Sequence, residues 1–300
     1  MNKIVVVGCG NVGCAYSYAV LNQSLNIDEL ILIDVDNKKA LGHAMDLSHT
    51  ALYLDCKTKV RAGSYMDCKG ADIVVICAGA NQKSNETRLE LTTRNSKIIK
   101  EIVKKVVTAG FKGIFLLATN PVDIMTYMTK IYSNFDTSKV IGSGTTLDTA
   151  RLTYYLSDKL NVNQKDIEVY VLGEHGDSSF VPWSSARIGS LDIQDIILKS
   201  DLKQIENKVK KLAYKIIDLK QETSFGIGCC LARITKAIIN DEYAVLPVSA
   251  PYDGVYMGMP AVICKKGIKG VMKIKLTNEE AKALEKSKDV LKEIISSLEE

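Results

Sequence analysis

The sequence predicts an α/β protein in which a doubly wound parallel sheet is followed by an α+β unit. Short β-branched runs alternate with longer helical patterns through the first half of the chain, as expected for a parallel sheet covered on both faces. After about residue 144 that rhythm gives way to long helices and then a cluster of strands. The third observation is the glycine run that ends the first strand, Gly8-Cys9-Gly10-Asn11-Val12-Gly13.

Strands of the first unit are expected at 4–7, 30–34, 73–77, 114–118 and 140–143, each followed by a helix or loop. The second unit is expected to hold a helix at 148–160, a strand at 167–171, helical stretches at 192–221 and 226–240, and strands at 244–249, 261–264 and 271–275. A terminal helix follows the capping-box sequence Thr277-Asn278-Glu279-Glu280. The boundary is set near Ser143–Gly144, giving a dinucleotide-binding unit over 1–143 and a substrate unit over 144–300.

Composition narrows the class. The net charge of +4 arises from 39 basic and 35 acidic residues spread along the chain, which leaves no nucleic-acid footprint. Lys265, Lys266, Lys269, Lys273 and Lys275 read as a solvated strand face. Eight cysteines without CxxC spacing, mostly inside apolar runs, read as reduced core residues, and no metal site is expected. The vicinal pair Cys229-Cys230 falls in a helical pattern. No apolar run reaches the ~18 residues of a membrane span, and strand-forming residues begin at Ile4, so a cytoplasmic protein without a membrane partner is expected.

The glycine run lies between a strand and an apolar-periodic helix, the setting that G-x-G-x-x-G requires. Gly8 permits the tight turn, Gly10 lets backbone approach a pyrophosphate, and Gly13 lets helix pack on strand. The first unit is therefore of Rossmann type. Asp34, at the end of the second strand, is positioned to accept hydrogen bonds from ribose hydroxyls and to repel a 2′-phosphate, which favours NAD. Its alternative role is a turn or helix cap, and Lys38 and Lys39 weaken the exclusion of a 2′-phosphate. Small-residue strand ends at 77–80 and 116–121 suit close approach to a dinucleotide.

His175, in Gly173-Glu174-His175-Gly176-Asp177, is one of three histidines and the natural proton carrier near neutral pH. Alone it would read as a structural residue. Its company is Asp148 and Arg151, three residues apart on one helix, and Arg88 in a polar stretch ahead of another.

These segments together resemble the L-lactate/L-malate dehydrogenase family, on the side of its bacterial L-lactate members. The ordered motifs are GCGNVG, CAGANQKSNETRLEL, TNPVD, GSGTTLDTARL, GEHGDS and TSFGIG, and they span the chain. The resemblance implies that His175 exchanges the substrate proton, Asp148 orients it and Arg151 clamps the substrate carboxylate. Arg88, carried on a closing loop, polarises the carbonyl. The alternative for Asp148 is a helix N-cap, a role compatible with the first, and that for an isolated arginine is a surface ion pair. Asn120 and Thr223 are implied at the substrate, and Asn120 and Ile227 also at the cofactor, with plain helix residues the alternative for Thr223 and Ile227. Besides Gly8, Gly10, Gly13 and Asp34, the family pattern assigns to the NAD side Val12, Lys39, Tyr65, Gly79, Ala80, Ala118 and Ser143.

Gln82 stands at the position that resembles the family's substrate selector. A neutral side chain there leaves the second charge of a dicarboxylate uncompensated, which favours pyruvate and lactate. Lys83 is adjacent, and Ser84-Asn85 replaces the Pro-Gly common in relatives, so malate and bulkier 2-hydroxy acids such as 2-hydroxyisocaproate stay open, as does a non-catalytic NAD-binding scaffold. A homo-oligomer, by resemblance a tetramer, is implied. Members that respond to fructose 1,6-bisphosphate carry an arginine two residues after the substrate arginine and a histidine seven before the catalytic one. Here those positions are Thr153 and Glu168, a neutral hydroxyl and an acid. Millimolar sugar bisphosphate is therefore expected to leave the apparent pyruvate constant unchanged in an activity titration, and a sharp drop would reject this.

Overall fold

The computed structural model describes residues 2–80 and 87–299. The first half contains β1 (Lys3–Val7), α1 (Asn11–Asn22), β2 (Glu29–Ile33), α2 (Asn37–His49), β3 (Lys59–Ala62), β4 (Ile73–Ile76), α3 (Arg88–Thr108), β5 (Ile114–Leu117), α4 (Val122–Ser133) and β6 (Val140–Gly142). These strands pair in parallel in the order β3-β2-β1-β4-β5-β6. The chain winds outward from β1 in one direction and returns from β4 in the other, so the switch point lies between β1 and β4. Every residue of β4 and β5, and four of five in β1 and β2, is buried, because helices cover both faces. The expected strands are all present. β3, a short edge strand of alternating exposure, went unanticipated.

The second half begins with α5 (Thr146–Leu160) and a small antiparallel sheet of β7 (Ile167–Glu168), β8 (Arg187–Ile188) and β9 (Leu191–Asp192). It continues with α6 (Ile193–Ile196), α7 (Lys199–Lys220), α8 (Phe225–Ile239), β10 (Ala244–Tyr252), β11 (Val255–Cys264), β12 (Gly267–Val271) and α9 (Asn278–Glu299). The helical stretch expected at 192–221 is thus broken between α6 and α7. Only the start of the strand expected at 167–171 is a strand; beyond it Leu172 bridges Phe180 and Gly173 bridges Gly258.

Two corrections concern the C-terminal strands. β10, β11 and β12 form an antiparallel meander, and β10 pairs with β6 at Ser249 opposite Gly142. Among the described residues the result is one nine-stranded sheet that runs across the expected boundary at 143/144. Glycines permit the join: a Cβ on Gly142 would lie 2.7 Å from the Ser249 Cβ, and one on Gly144 2.2 Å from the Ser249 amide. The last strand is Gly267–Val271 rather than 271–275. Cys264 pairs with Gly267, so Lys265 and Lys266 form the hairpin turn and only Lys269 lies on a strand; Gly267, at φ +101°, supplies the left-handed conformation that closes it. The capping box is realised, with Thr277 N–H donating to the Glu280 carboxylate at 2.9 Å and Glu280 N–H to Thr277 Oγ1 at 3.2 Å.

The eight cysteines are all free thiols; Cys229 is exposed and its neighbour Cys230 buried. No described helix is long and apolar enough to cross a membrane. The two halves are also locked by α8 packing across α1. A Cβ on Gly228 would lie 2.7 Å from the main-chain carbon of Ala15 and 2.8 Å from the Tyr16 amide, so only glycine allows this spacing. Gly228→Ala should lower the unfolding free energy by about 1–3 kcal/mol through overpacking, measurable by denaturant titration.

Candidate active site

The cofactor end is built where β1 and β4 finish. Gly8, at φ +100°, donates its N–H to Ile33 O at 2.8 Å, and a Cβ there would sit 2.4 Å from the Ala78 amide. The glycine loop is therefore pressed against the chain leaving β4. A Cβ on Gly13 would fall 2.0 Å from Gly8 O, which fixes glycine where α1 packs on the turn. Gly10, the N-cap of α1, differs: a Cβ there would meet no protein atom within 4 Å. Open space before a helix N-terminus without a side-chain cap suits a pyrophosphate, so these residues fit a dinucleotide.

Asp34 follows β2. Its carboxylate accepts from the Cys9 amide at 2.7 Å and the Asp36 amide at 3.0 Å. The helix cap is instead Asp36, which accepts from the Lys38 and Lys39 amides, leaving Lys38 and Lys39 exposed on α2. Tyr65 is half-buried near Asp34, with Lys105 Nζ 5.3 Å from its ring centre. Val12 lies half-buried on α1, and Ala118 continues β5 by donating to Ile76 O at 3.0 Å. Ser143 is buried just beyond β6, its N–H on Leu117 O at 2.8 Å.

One residue that the sequence did not single out organises this crevice. Asn95, buried on α3, accepts from the Ala80 amide at 2.8 Å and donates to Asn120 O at 2.8 Å and to Ala80 O at 3.3 Å. It ties together the chains leaving β4 and β5, and so fixes Gly79, Ala80 and Asn120 relative to each other. A buried amide with its main donors and acceptor engaged is costly to remove.

The reacting end gathers on α5 and the 173–177 loop. Thr145 is the N-cap residue of α5 and its Oγ1 donates to Val171 O at 2.5 Å, so Asp148 is a first-turn residue and not the cap. Asp148 Oδ2 lies 2.5 Å from His175 Nδ1 and Oδ1 lies 3.2 Å from the Arg151 guanidinium. One carboxylate thus orients both the imidazole and the guanidinium. Burial alone would lower the His175 proton affinity, but the Asp148 carboxylate outweighs it and pushes the imidazole up to about 9. Burial resists ionisation of Asp148, and His175 followed by Arg151 more than reverses this, holding its carboxyl below the usual range. The side chain of Arg151 is largely buried and that of His175 is 28% exposed.

α8 brings the last pieces. A Cβ on Gly226 would touch the Leu147 side chain at 2.8 Å, so the start of α8, with Thr223 before it and Ile227 in its first turn, packs beside Asp148. Arg88 is the first residue of α3, whose N-cap Thr87 forms a capping box with Glu90. Gln82, with Lys83, Ser84 and Asn85, lies outside the described residues. Among the described residues no group of three His, Cys, Asp or Glu side chains is arranged to hold a metal ion.

A second unanticipated group underlies His175. Its main-chain N–H donates to Asp123 Oδ2 at 2.7 Å, and Ser249 Oγ donates to Asp123 Oδ1 at 2.6 Å. On the other side of the loop, Ser287 of α9 accepts from the Glu174 amide at 2.7 Å. Sequence gave little signal for these, because an acid in a helix first turn reads as a complement to the helix dipole. Asn95→Ala should weaken NADH binding by roughly tenfold, the scale of about one lost buried hydrogen bond, in a fluorescence titration.

Comparison with known proteins agrees with this arrangement. Residues 2–142 match the lactate/malate dehydrogenase NAD binding domain and residues 145–300 the lactate/malate dehydrogenase alpha/beta C-terminal domain. The chain is 45% identical to the L-lactate dehydrogenase of Borrelia hermsii, covering 99% of this chain and 98% of that one. It is 46% identical to L-lactate dehydrogenase 2 of Bacillus anthracis at the same coverage. Among solved structures it superposes with a TM-score of 0.97 on MGS-M5, a lactate dehydrogenase from a Medee basin deep-sea metagenome library, at 44% identity over 100% of this chain and 99% of the other. A glycine cradle, a paired histidine and a carboxylate-anchored arginine thus occur in a chain that belongs to the lactate/malate dehydrogenase family.

Proposed function

We propose that this chain is a cytoplasmic NAD-dependent L-lactate dehydrogenase, interconverting pyruvate and L-lactate. The observation that carries the reading is Asp148 held between His175 and Arg151, which joins a proton carrier to a carboxylate receptor at a fixed spacing. Bound NADH supplies the hydride that reduces the substrate carbonyl carbon. Arg151 clamps the substrate carboxylate through two parallel hydrogen bonds and so fixes which face of the carbonyl is presented. Asp148, on Nδ1, leaves Nε2 of His175 to hold the proton that goes to the carbonyl oxygen in reduction, and to take it back in oxidation. Because the imidazole is pushed up to about 9, it is charged at neutral pH and ready to donate. Arg88 and Asn120 hydrogen-bond the reacting oxygen, while Thr223 borders the pocket.

On the cofactor side, Gly8, Gly10, Val12 and Gly13 cradle the pyrophosphate and Asp34 binds the ribose, with Lys39 and Tyr65 flanking it. Gly79, Ala80, Ala118, Asn120, Ser143 and Ile227 line the path to the nicotinamide. Residues 1–143 form the cofactor unit and 144–300 the catalytic unit, a division supported by the two family matches meeting between 142 and 145. The neutral Gln82 favours a monocarboxylic substrate. Self-association is supported by the exposed apolar residues Leu41, Met45, Leu52 and Tyr53 along α2 and the turn after it, and its form as a tetramer is carried over from the family resemblance.

NADH consumption with pyruvate, oxaloacetate, 2-oxoisocaproate and no substrate tests the reading. Pyruvate should be turned over with the highest kcat/KM. Preference for oxaloacetate would reject the role of Gln82, preference for 2-oxoisocaproate would move the assignment to a bulkier 2-hydroxy acid, and no turnover would favour a binding scaffold. His175→Asn should keep NADH binding and lose turnover by about 100- to 10,000-fold.

A further inference from the structure

Asp123 is the third residue after Asn120 and the second of α4, and it is 3% exposed. Its two oxygens accept from neutral donors, Ser249 Oγ on β10 and the main-chain N–H of His175. Hydrogen bonding alone would not need a carboxylate here, since an asparagine could accept from His175 N–H and donate to Ser249 Oγ. What the carboxylate adds is charge, in a buried position where charge is costly.

The charged and titratable groups around it define what that charge does. Glu174 and His175 face Asp123 from the catalytic loop, Ser249 from β10, and Asp148 and Arg151 stand on α5 beyond the imidazole. Asp148 is the closer anion, but Arg151 shares it. Among the described residues, the cation acting on Asp123 is the imidazolium of His175 itself, with no lysine or arginine among the groups that shift its proton affinity. Its charge is softened only by two neutral donors, so its field acts on the imidazole, and the N-terminal turn of α4 helps to keep it ionised.

We propose that Asp123 is a positioning residue for His175, whose buried negative charge anchors the main chain of the catalytic loop and strengthens the hold of the imidazole on its proton. This rests on His175 being the acid–base group. Burial pushes the Asp123 carboxyl up to about 6, against the pull of Ser249 and His175. A raised carboxyl is stabilising to the fold only while protonated: stability from this group falls as pH rises from the ordinary carboxylate range through about 6. At neutral pH the group is ionised at a cost to the fold, in a position that serves the histidine.

The test is an NMR titration of the three imidazoles in the full-length protein, with His43 and His49 on α2 as internal references and the His175 signal assigned by its loss in His175→Asn. Asp123→Asn keeps both hydrogen bonds and removes the charge. It should lower the His175 midpoint by about one pH unit while the references stay in place. The alkaline fall of kcat/KM for pyruvate reduction should move down equally. Ser249→Ala, which removes one donor but leaves the Asp123 charge in place at the pH where His175 titrates, should not lower the midpoint, so a drop is tied to the charge and not to the lost packing or hydrogen bond. A His175 midpoint that Asp123→Asn does not lower, or that Ser249→Ala lowers as far, overturns the proposal. Because the titration needs no turnover, it stands apart from the acid–base reading: full activity in His175→Asn would remove His175 from the mechanism, whereas an unmoved midpoint would remove only Asp123.

Discussion

Strands buried on both faces leave only their ends for polar chemistry, and this constraint shapes the protein. β1, β4 and β5 are sealed between helix layers, so most of the groups proposed to meet the cofactor lie in the few residues after a strand: Gly8 and Gly10 after β1, Asp34 after β2, Gly79 and Ala80 after β4, Asn120 after β5. Those short exits must also pass close to one another. The Gly8 turn meets Ala78 at a distance that excludes a side chain, Thr119 Oγ1 donates to Ala78 O at 2.7 Å, and Asn95 adds from the helix layer further hydrogen bonds to Ala80 and Asn120.

The second half of the chain extends the same sheet instead of standing beside it. β10 reaches β6 because Gly142 and Gly144 present no Cβ to Ser249, and the bond from Ser249 to Asp123 then forms directly at that seam. α8 closes the other side of the seam through Gly228 on α1. The 173–177 loop is thereby fixed from three elements: α4 through Asp123, α5 through Asp148, and α9 through Ser287. Precision at His175 is a property of how the halves meet, since no one of them holds the loop alone.

Much of this was legible in the chain. A parallel sheet with β1, β2, β4, β5 and β6 follows from alternating runs, the glycine turn from its setting, and the Asp148–Arg151 pair from helical spacing of three. The misreadings share a physical cause. The alternation in Val271-Met272-Lys273-Ile274-Lys275 looks like a strand, yet the tight turn at Lys265-Lys266 starts the last strand already at Gly267 and sets its register, so pairing ends at Val271. β3 is short and half-exposed at the sheet edge, with little apolar signal. Asn95 sits in a polar helix stretch, and its importance comes from two strand exits some fifteen and twenty-five residues away. Pairing between distant segments, such as β6 with β10, leaves no local pattern to read.

The charge balance of the site is the remaining question, and it can be argued from who shares what. Asp148 is bound by both His175 and Arg151, so its single charge must orient two cations. On the proposed reading, a 2-oxo acid would bring its carboxylate to Arg151 and leave Asp148 more fully to the imidazolium. Without a substrate, Arg151 opposes the charge on His175, and the anion that offsets this from beneath is Asp123. Two carboxylates for one imidazole are therefore not redundant: Asp148 faces the ring and is shared with Arg151, while Asp123, buried at the seam of the sheet, holds the main chain of the loop. A proton carrier that must be charged before the substrate binds and neutral after it leaves is served better by one fixed and one shared anion than by two of either kind.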